Sequence, residues 1–192
     1  MFIDSLLIVF AYLLGSISGA ILVSKAMGVP DPRTQGSGNP GATNILRYCG
    51  KKAALITLCF DVFKGVIAVV MAKFLSLAAV SYVTLAVFLG HLYPIFFQFR
   101  GGKGVATVFG ALLILTWPVS LAVLITWLII ACVFRYSSLA AITAAILTPA
   151  YMFWLTPEYT FMAFIISTLL IWRHRSNIHN LLTGEESKIS SI

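Results

Sequence analysis

The sequence contains very little charge: only 10% of its 192 residues are charged, with 13 Lys and Arg against 6 Asp and Glu. So few charged side chains cannot cover the surface of a soluble domain of this size. Because 60% of the residues are hydrophobic and the mean hydropathy is +0.99, the chain is predicted to be an integral membrane protein. Strand-like alternation is also lacking, and apolar runs without it predict an all-α fold, since unpaired backbone groups are costly in lipid.

Cysteine is scarce as well. Cys49, Cys59 and Cys132 share no metal-ligand spacing, which predicts free thiols with neither a disulfide framework nor a metal site. The first apolar stretch lacks the basic start of a signal peptide and is longer than a typical one, so we interpret it as a spanning helix. The net charge of +7 is distributed between apolar segments, which favours membrane orientation and anion attraction over nucleic-acid binding.

Seven apolar segments predict a polytopic protein with seven transmembrane helices in one domain, residues 1–192. Their expected bounds are Ile3–Lys25, Lys51–Lys73, Val80–Gly90, Val105–Thr116, Val119–Phe134, Leu139–Leu155 and Tyr159–Trp172. Alternate turns then lie on opposite sides, and the basic residues in the turns and at the ends of the spans gather on one side, except Lys73. By the positive-inside rule that side is the cytoplasm, with the N-terminus outside and the C-terminus inside. The gathered residues are Lys25, Arg33, Arg47, Lys51, Lys52, Arg100, Lys103, Arg135, Arg173, Arg175 and Lys188.

Polar and small residues within the predicted spans have alternative interpretations. The small residues of Gly15–Ala20 favour close approach of another helix, and the alternative is that a serine of this stretch faces a polar site. Asp61 and Lys64 lie three residues apart on one helix face, so they form either a structural ion pair or a wall of the site. For His91 a structural hydrogen bond is the favoured interpretation.

Two glycine-rich polar segments on the predicted cytoplasmic side indicate phosphate binding. In Thr34–Arg47 the glycines permit positive φ and close approach, the asparagines add amide donors, and Arg47 offers a fork suited to phosphate. The segment Arg100–Gly104 repeats the pattern around Lys103, but no GxxxxGK[ST] sequence occurs, so nucleotide hydrolysis is not supported. The residues expected at phosphate groups are Gly36, Gly38, Asn39, Gly41, Thr43, Asn44, Arg47, Gly101, Gly102, Lys103 and Gly104.

Two further polar segments are expected on the same side. Ser137 and Ser138 either hydrogen-bond a phosphoryl or acyl oxygen or cap the following helix, and the two roles are compatible. His174 and Asn177 are spaced to share one face of a helical tail, predicted to begin as an extension of the seventh helix, where they could orient a hydroxyl nucleophile. No histidine has the HxxxxD spacing of common glycerolipid acyltransferases, so an acyl transfer here would need a donor more reactive than a thioester.

Six segments cover nearly the whole chain in order: GSISGAILVSK (15–25), GSGNPGATNILR (36–47), DVFKG (61–65), GHLYPIFFQFRGGKGVAT (90–107), RYSSLA (135–140) and HRSNIHNLLTGEE (174–186). Together they resemble the bacterial acyl-phosphate:glycerol-3-phosphate acyltransferase family, the PlsY family. The resemblance implies seven transmembrane helices and transfer of a fatty acyl group from acyl phosphate to the 1-hydroxyl of glycerol 3-phosphate. The implied products are lysophosphatidate and inorganic phosphate, in the first step of bacterial phospholipid synthesis.

The resemblance also implies roles for individual residues and partners. Ser37, Asn39, Asn44 and Arg47 match the first phosphate-binding motif, and Lys103 matches the second. The implied catalytic residues are Ser37, Arg47, Lys103, Ser137, Ser138, His174 and Asn177. We expect acyl phosphate, glycerol 3-phosphate and membrane lipid as partners, with no cofactor, no metal and no nucleic acid. We also expect the protein to be a monomer in the bacterial inner membrane, with its site on the cytoplasmic side. It is expected to be functionally linked to the enzyme that makes acyl phosphate.

On the residues alone, two other functional classes stay open. A transporter of a phosphorylated solute would also gather basic residues and helix breaks, but it should show repeat symmetry and access from both sides. No convincing internal repeat is visible. A non-catalytic assembly subunit would explain the small-residue helix faces, yet it gives no reason for four polar segments on one side.

Overall fold

The computed structural model describes residues 1–189. Within these residues no β-strand occurs and the regular elements are helical, which confirms the all-α prediction. The chain divides into two compact units, residues 1–115 and residues 116–192. Each unit is described by itself below, and the single-domain interpretation stays a prediction.

The first unit contains α1 (Phe2–Gly15), α2 (Gly19–Ala26), α3 (Ala42–Leu75), α4 (Val80–Leu92) and α5 (Val105–Leu115), with 3₁₀ turns at Pro32–Thr34, Leu77–Ala79 and Ile95–Phe97. The predicted first helix is therefore broken in two, and α1 and α2 meet at an angle of 43°. Ser18 caps the second half, because its hydroxyl accepts the Ile21 N–H at 3.4 Å.

Glycines bring the helices of the first unit into backbone contact. A Cβ added to Gly15 of α1 would collide with the Val87 carbonyl of α4. A Cβ on Gly65 of α3 would likewise collide with the Thr107 carbonyl of α5. The prediction that small residues of the first helix serve close helix packing is thus confirmed.

The third helix begins earlier than the sequence indicated. The prediction of a loop up to Gly50 is wrong for residues 42–49, since α3 begins at Ala42 and resumes after a kink at Gly50, where φ is 82° and ψ is −178°. The helical turns before the kink bury Ile45 beside Ala20 and Ala53 in a small apolar cluster. That burial supports helix in a stretch whose flanking glycines and polar residues are typical of a loop, and glycine adopts the kink without steric cost.

The second unit contains α6 (Trp117–Phe134), α7 (Ser137–Leu155), α8 (Thr160–Arg173) and α9 (Arg175–Thr183), with a 3₁₀ turn at Pro157–Tyr159. Helix α7 packs against both α6 and α8. The prediction that the tail extends the seventh helix is wrong, because His174, with φ −94° and ψ 8°, separates α8 from α9. The tail therefore begins as a separate short helix.

Several helices are long and apolar enough to cross a membrane. In residues 1–189 these are α3, Leu77–Phe97, α6 and α7, and the bent pair α1 and α2 makes a fifth span if counted as one. Helix α5 is apolar but has 11 residues, about 16 Å at 1.5 Å per residue. Large apolar side chains are exposed on these helices, as expected of surfaces that contact lipid rather than water. Phe63 and Trp154 are examples.

Candidate functional site

The first glycine-rich segment is held in shape by the buried amide of Asn44. Its Oδ1 accepts the Ser37 N–H at 3.0 Å, and its Nδ2 donates to the carbonyls of Pro32 at 3.1 Å and Gln35 at 2.9 Å. Asn44 is only 2% exposed. Because three hydrogen bonds join this one amide to the loop backbone, the geometry favours a role in positioning the loop over direct donation to a ligand.

Two of the loop glycines adopt the backbone conformation that the sequence suggested. Gly36 and Gly38 have φ values of 53° and 68°, in the left-handed region. Gly41 instead is extended, with φ −151°, and precedes α3 without providing a side-chain cap. The positive-φ interpretation of Gly41 is therefore wrong. A Cβ there would lie 2.9 Å from the end of the Asn39 side chain, so Gly41 leaves room for that amide.

Both glycine-rich segments lead directly into a helix. Helix α3 begins at Ala42 after the first segment, and α5 begins at Val105 after the second. The first N–H groups of a helix lack intrahelical acceptors and carry the positive end of the helix dipole. The N-termini of two helices, with the positive ends of their dipoles, therefore lie next to the two loops, which is the arrangement that suits an anion.

The two glycine-rich segments lie side by side in the first unit. The Gly102 N–H donates to the His91 carbonyl at 3.1 Å. A Cβ added to Gly102 would collide with the His91 ring and would lie 3.0 Å from the Pro40 carbonyl of the first segment. The predicted meeting of these two segments is therefore observed, and the contact requires a residue without a side chain.

The predicted phosphate-binding side chains differ in exposure. Arg47 is exposed near the start of α3, Ser37 is exposed in the first loop, and Thr43 and Lys103 are half-buried. Asn44 accepts the Ser37 N–H, and Ser37 is exposed at the surface of the loop. These positions are compatible with the roles the sequence predicted for them.

A salt bridge that sequence reasoning missed supports the first loop. Asp31 accepts from the Arg33 backbone N–H at 2.9 Å and from its guanidinium at 2.7 Å, while Arg33 Nη1 donates to the Phe97 carbonyl at 3.1 Å. The Arg33 guanidinium holds the pKa of Asp31 below its ordinary value, and the carboxylate raises the pKa of Arg33. Arg33 thereby ties the first loop to the aromatic turn before the second.

The buried charges of α3 form the ion pair that was one of the two predicted alternatives. Lys64 Nζ lies 3.0 Å from Asp61 Oδ1, and both residues are 2% exposed. His91 joins them, with its Nδ1 2.8 Å from Lys64 Nζ. The structural interpretation of His91 is thus confirmed in the form of a shared polar cluster.

In the second unit the predicted residues converge on a carboxylate that was not predicted. Glu186 Oε1 accepts the Ser138 hydroxyl at 2.5 Å and the Asn177 Nδ2 at 2.8 Å. Ser138 and Asn177 are buried, whereas Glu186 is half-buried. The sequence did contain a signal, since Glu186 is one of only 6 acidic residues and lies in a segment that carried the family resemblance.

The interpretation of the two serines as helix caps is wrong. Tyr136 is the N-cap of α7 and provides no side-chain hydrogen bond, while Ser137 and Ser138 are the first two helical residues. The Ser138 hydroxyl instead donates to Glu186. A capping residue needs a non-helical backbone, which Tyr136 has with φ −112° and ψ 111°, whereas both serines already lie within the helix.

The ring of His174 has a defined tautomer. Its Nδ1 lies 2.8 Å from the Leu170 carbonyl, and a carbonyl can only accept, so Nδ1 carries the proton. In the neutral ring Nε2 is then an acceptor. His174 is 2% exposed at the junction of α8 and α9, and Asn177 lies in the first turn of α9.

Comparison with known proteins gives a consistent result over nearly the whole chain. A family model described as glycerol-3-phosphate acyltransferase matches residues 5–184. The glycerol-3-phosphate acyltransferase of Methylococcus capsulatus is 50% identical over 193 residues, covering 98% of both chains. That of Thioalkalivibrio sulfidiphilus is 54% identical over 195 residues, covering 100% of this chain and 96% of its own.

Two solved structures are similar to this chain. The crystal structure of PlsY, an integral membrane glycerol 3-phosphate acyltransferase, in its glycerol 3-phosphate form has a TM-score of 0.92 at 43% identity, covering 96% of this chain and 94% of that one. The lysophosphatidic acid form has a TM-score of 0.89 at 42% identity, with the same coverage.

The fold and the two loops place this chain among helical integral membrane proteins with glycine-rich segments at helix N-termini. Within that class, the chain belongs to the glycerol-3-phosphate acyltransferase family, of which PlsY is a member. The resemblance inferred from the six sequence segments is confirmed.

Proposed function

We propose that this chain transfers a fatty acyl group from acyl phosphate to the 1-hydroxyl of glycerol 3-phosphate, yielding lysophosphatidate and inorganic phosphate. The observation that carries the proposal is the pair of adjacent glycine-rich segments, each leading into a helix N-terminus. Support comes from related PlsY structures, one described as a glycerol 3-phosphate form and the other as a lysophosphatidic acid form. These two ligands are the proposed acceptor substrate and the proposed product.

Positioning and charge stabilisation are the main requirements of this reaction. Acyl phosphate is a mixed anhydride whose leaving group is already a stable anion, so the enzyme needs to hold two phosphates and stabilise the carbonyl oxygen under attack. Arg47 supplies a bidentate fork for one phosphate, and Lys103 supplies a point charge for the other. Backbone N–H groups of the two segments, with the Asn39 amide, complete the cradle for negative charge.

The hydroxyl proton has two candidate acceptors in this scheme. We favour a phosphate oxygen of the substrate, which is already at the reacting centre. His174 is the alternative, because its Nδ1–H tautomer leaves Nε2 as an acceptor in the neutral ring. Loss of all activity in His174→Ala, with glycerol 3-phosphate affinity intact, would favour the histidine.

In the second unit, Ser137, Ser138, His174 and Asn177 are the residues proposed to contact substrate. Ser138 and Asn177 are held by one carboxylate oxygen of Glu186, which fixes the direction of both side chains. Glu186 is therefore proposed as a positioning residue for the hydroxyl and the amide.

For topology, we propose seven spans, with the N-terminus outside and the C-terminus in the cytoplasm. The bent pair α1 and α2 counts as the first span, and α3 to α8 supply the other six. In Lys73→Cys and Lys188→Cys, made in a background without the native cysteines, a membrane-impermeant maleimide applied to intact cells should label only position 73. Labelling of position 188 alone would reverse the orientation.

The acyl chain of the donor is proposed to lie among the helices in lipid, with its head at the polar segments. Each buried CH₂ contributes about 0.8 kcal/mol, so activity should rise as the donor chain is lengthened. The proposal includes a monomer in the bacterial inner membrane, a site on the cytoplasmic side and a functional link to the enzyme that makes acyl phosphate.

The test is inorganic phosphate release by purified protein given palmitoyl phosphate, with and without glycerol 3-phosphate. Arg47→Ala and Lys103→Ala should each lower kcat/KM by about 10- to 100-fold, since a hydrogen bond to a charged group contributes about 1.5–3 kcal/mol. Lys52→Ala is the matched control, because Lys52 is an exposed base on the same helix as Arg47 and is not among the proposed site residues.

Three results separate the possible outcomes. Release that requires both substrates and falls in the two variants supports the proposal. Activity with acyl-CoA but not with acyl phosphate would overturn the assignment of the donor. If the protein releases no phosphate with any acyl donor but carries phosphate into sealed vesicles, the transporter alternative is favoured.

A further inference from the structure

A buried polar cluster lies in the first unit and takes no part in the reaction proposed above. Asp61, Lys64, His91 and Thr107 belong to α3, α4 and α5, and each is at most 6% exposed. Charges at this depth are costly unless they are paired and hydrogen-bonded. The contacts of the cluster indicate what it positions.

Lys64 connects the helix break to the cluster. Its Nζ donates to the carbonyls of Gly15 at 3.0 Å and Ile17 at 2.9 Å, where the break between α1 and α2 interrupts the helical hydrogen bonds. An ammonium has three donors and no acceptor. The third donor faces Asp61 Oδ1 at 3.0 Å and His91 Nδ1 at 2.8 Å.

This arrangement determines which ring nitrogen of His91 carries the proton. Nδ1 faces the Lys64 donor, and the Thr107 hydroxyl lies 3.2 Å away and can donate to the same atom. Asp61 Oδ1 is 3.6 Å from Nδ1, too far for a hydrogen bond. Nδ1 is therefore an acceptor, and the neutral ring is the Nε2–H tautomer.

The other edge of the ring lies against the second glycine-rich segment. A Cβ added to Gly102 would collide with His91 Nε2, and one added to Gly101 would collide with the His91 carbonyl. That carbonyl accepts the Gly102 N–H at 3.1 Å. The same Cβ on Gly102 would lie 3.0 Å from the Pro40 carbonyl, so the ring faces the point where the two segments meet.

We propose that His91 is a positioning residue for Gly101–Gly104, and that Lys64 and Thr107 fix its ring in the orientation that holds this segment against the first. The inference rests on the proposed function, because the segment is there assigned to a substrate phosphate. It extends the site inward: phosphate affinity depends on a buried ion pair that never touches the substrate.

The test compares two replacements of His91 that place an amide at different ring positions. The amide nitrogen of His91→Gln reaches the position of Nε2, whereas that of His91→Asn reaches only the position of Nδ1. Lys64→Met removes the donor to Nδ1. Lys73→Met is the matched control, since Lys73 also lies on α3 and also donates to a backbone carbonyl, that of Leu115 at 3.1 Å.

Two measurements are made on each variant in detergent: amide hydrogen exchange of the Gly101–Gly104 segment without substrate, and the KM and kcat for glycerol 3-phosphate. His91→Asn removes the ring edge that packs on Gly102, and Lys64→Met removes the hydrogen bond to Nδ1 that orients the ring. Each should raise the exchange rate of the segment and the KM by about tenfold, which corresponds to about 1.4 kcal/mol. In both variants kcat should change less than KM. Lys73→Met should remain near the parent protein. His91→Gln should lie between the parent and His91→Asn, because it keeps a group at the Nε2 position but loses the contact of Nδ1 with Lys64.

Each outcome decides the inference. Equal exchange and equal KM in His91→Gln and His91→Asn would overturn the orientation argument, even if Lys64→Met fails to fold. Equal values in Lys64→Met and Lys73→Met would overturn the role of the buried pair. If the parent protein is inactive with acyl phosphate, the proposed function fails, while hydrogen exchange still decides whether His91 positions the segment.

Discussion

Replacing Asn44 with alanine should separate the folding of the first loop from the folding of the helices. One buried amide makes three hydrogen bonds to the loop backbone, at 3.0, 3.1 and 2.9 Å. At about 0.5–1.5 kcal/mol net for each hydrogen bond, their loss costs roughly 1.5–4.5 kcal/mol of loop stability. None of the three bonds joins one transmembrane helix to another, so the helices should stay folded.

The expected consequence is a lower affinity of the loop for the substrate phosphate. A loop destabilised by that amount should raise the KM for the substrate whose phosphate it holds, glycerol 3-phosphate or acyl phosphate, by about 10- to 1000-fold, since 1.4 kcal/mol corresponds to a factor of ten. Asn44→Asp should be no better, because it keeps the acceptor but turns both donors into an anion facing two carbonyls. The assay is inorganic phosphate release with glycerol 3-phosphate and acyl phosphate varied in turn, with circular dichroism to confirm helix content.

Thr34→Ala is the matched control for this prediction. Thr34 lies in the same loop, but its hydroxyl makes a single exposed hydrogen bond, to the Asp31 carbonyl at 2.9 Å. We expect its KM to stay near that of the parent protein. An unchanged KM in Asn44→Ala, with the loop as protected from hydrogen exchange as before, would refute the claim that this amide organises the loop.

Three further predictions concern other contacts. Glu186→Ala should lower the free energy of unfolding by about 2 kcal/mol and reduce activity, because one carboxylate oxygen of Glu186 accepts two side-chain donors. Glu185→Ala, at an exposed position, is the control. Equal thermal unfolding temperatures of the two variants would contradict the prediction. The pKa of Asp31 is lowered by its guanidinium partner, so its stabilisation is present above about pH 4 and is lost as the pH falls further. Asp31→Asn should therefore have a lower free energy of unfolding than the parent near neutral pH, by about 0.5 kcal/mol at most for a partly exposed ion pair. A difference in stability that persisted at pH 3 would argue against the ion pair as its cause. Gly65→Ala should lower the free energy of unfolding by about 1–3 kcal/mol, since the added Cβ would collide with the Thr107 carbonyl. Unchanged thermal stability would show that α3 and α5 move apart at little cost.

The sequence was informative about each of the long apolar elements. All seven predicted apolar segments are helical in the structure, with ends within a few residues in most cases, because hydropathy and length are local properties. The glycine-rich segments could be found in the same way, since small residues and a nearby base are visible without knowing the fold. The HRSNIHNLLTGEE segment likewise located Asn177 and the acidic pair, although it did not indicate which carboxylate is used.

Boundaries were less predictable wherever a distant contact decides the local conformation. Residues 42–49 look like loop, yet Ile45 packs against Ala20 of another helix, and the first turns of α3 form as a result. The first helix looks continuous, yet it breaks where Lys64 supplies donors to the carbonyls of Gly15 and Ile17. Neither partner is near in sequence, so these contacts could not be inferred from a local pattern.

By itself, the sequence determined the class of this protein: an all-helical membrane protein with glycine-rich anion-binding patterns and the motifs of one acyltransferase family. Only the tertiary structure decided that Asn44 organises the loop, that Glu186 joins Ser138 to Asn177, and that Lys64 orients His91. Composition and hydrophobic periodicity are properties of the sequence alone and can be read without knowing the fold. A hydrogen bond between residues far apart in sequence depends on distance and direction in space, which exist only after the helices have packed.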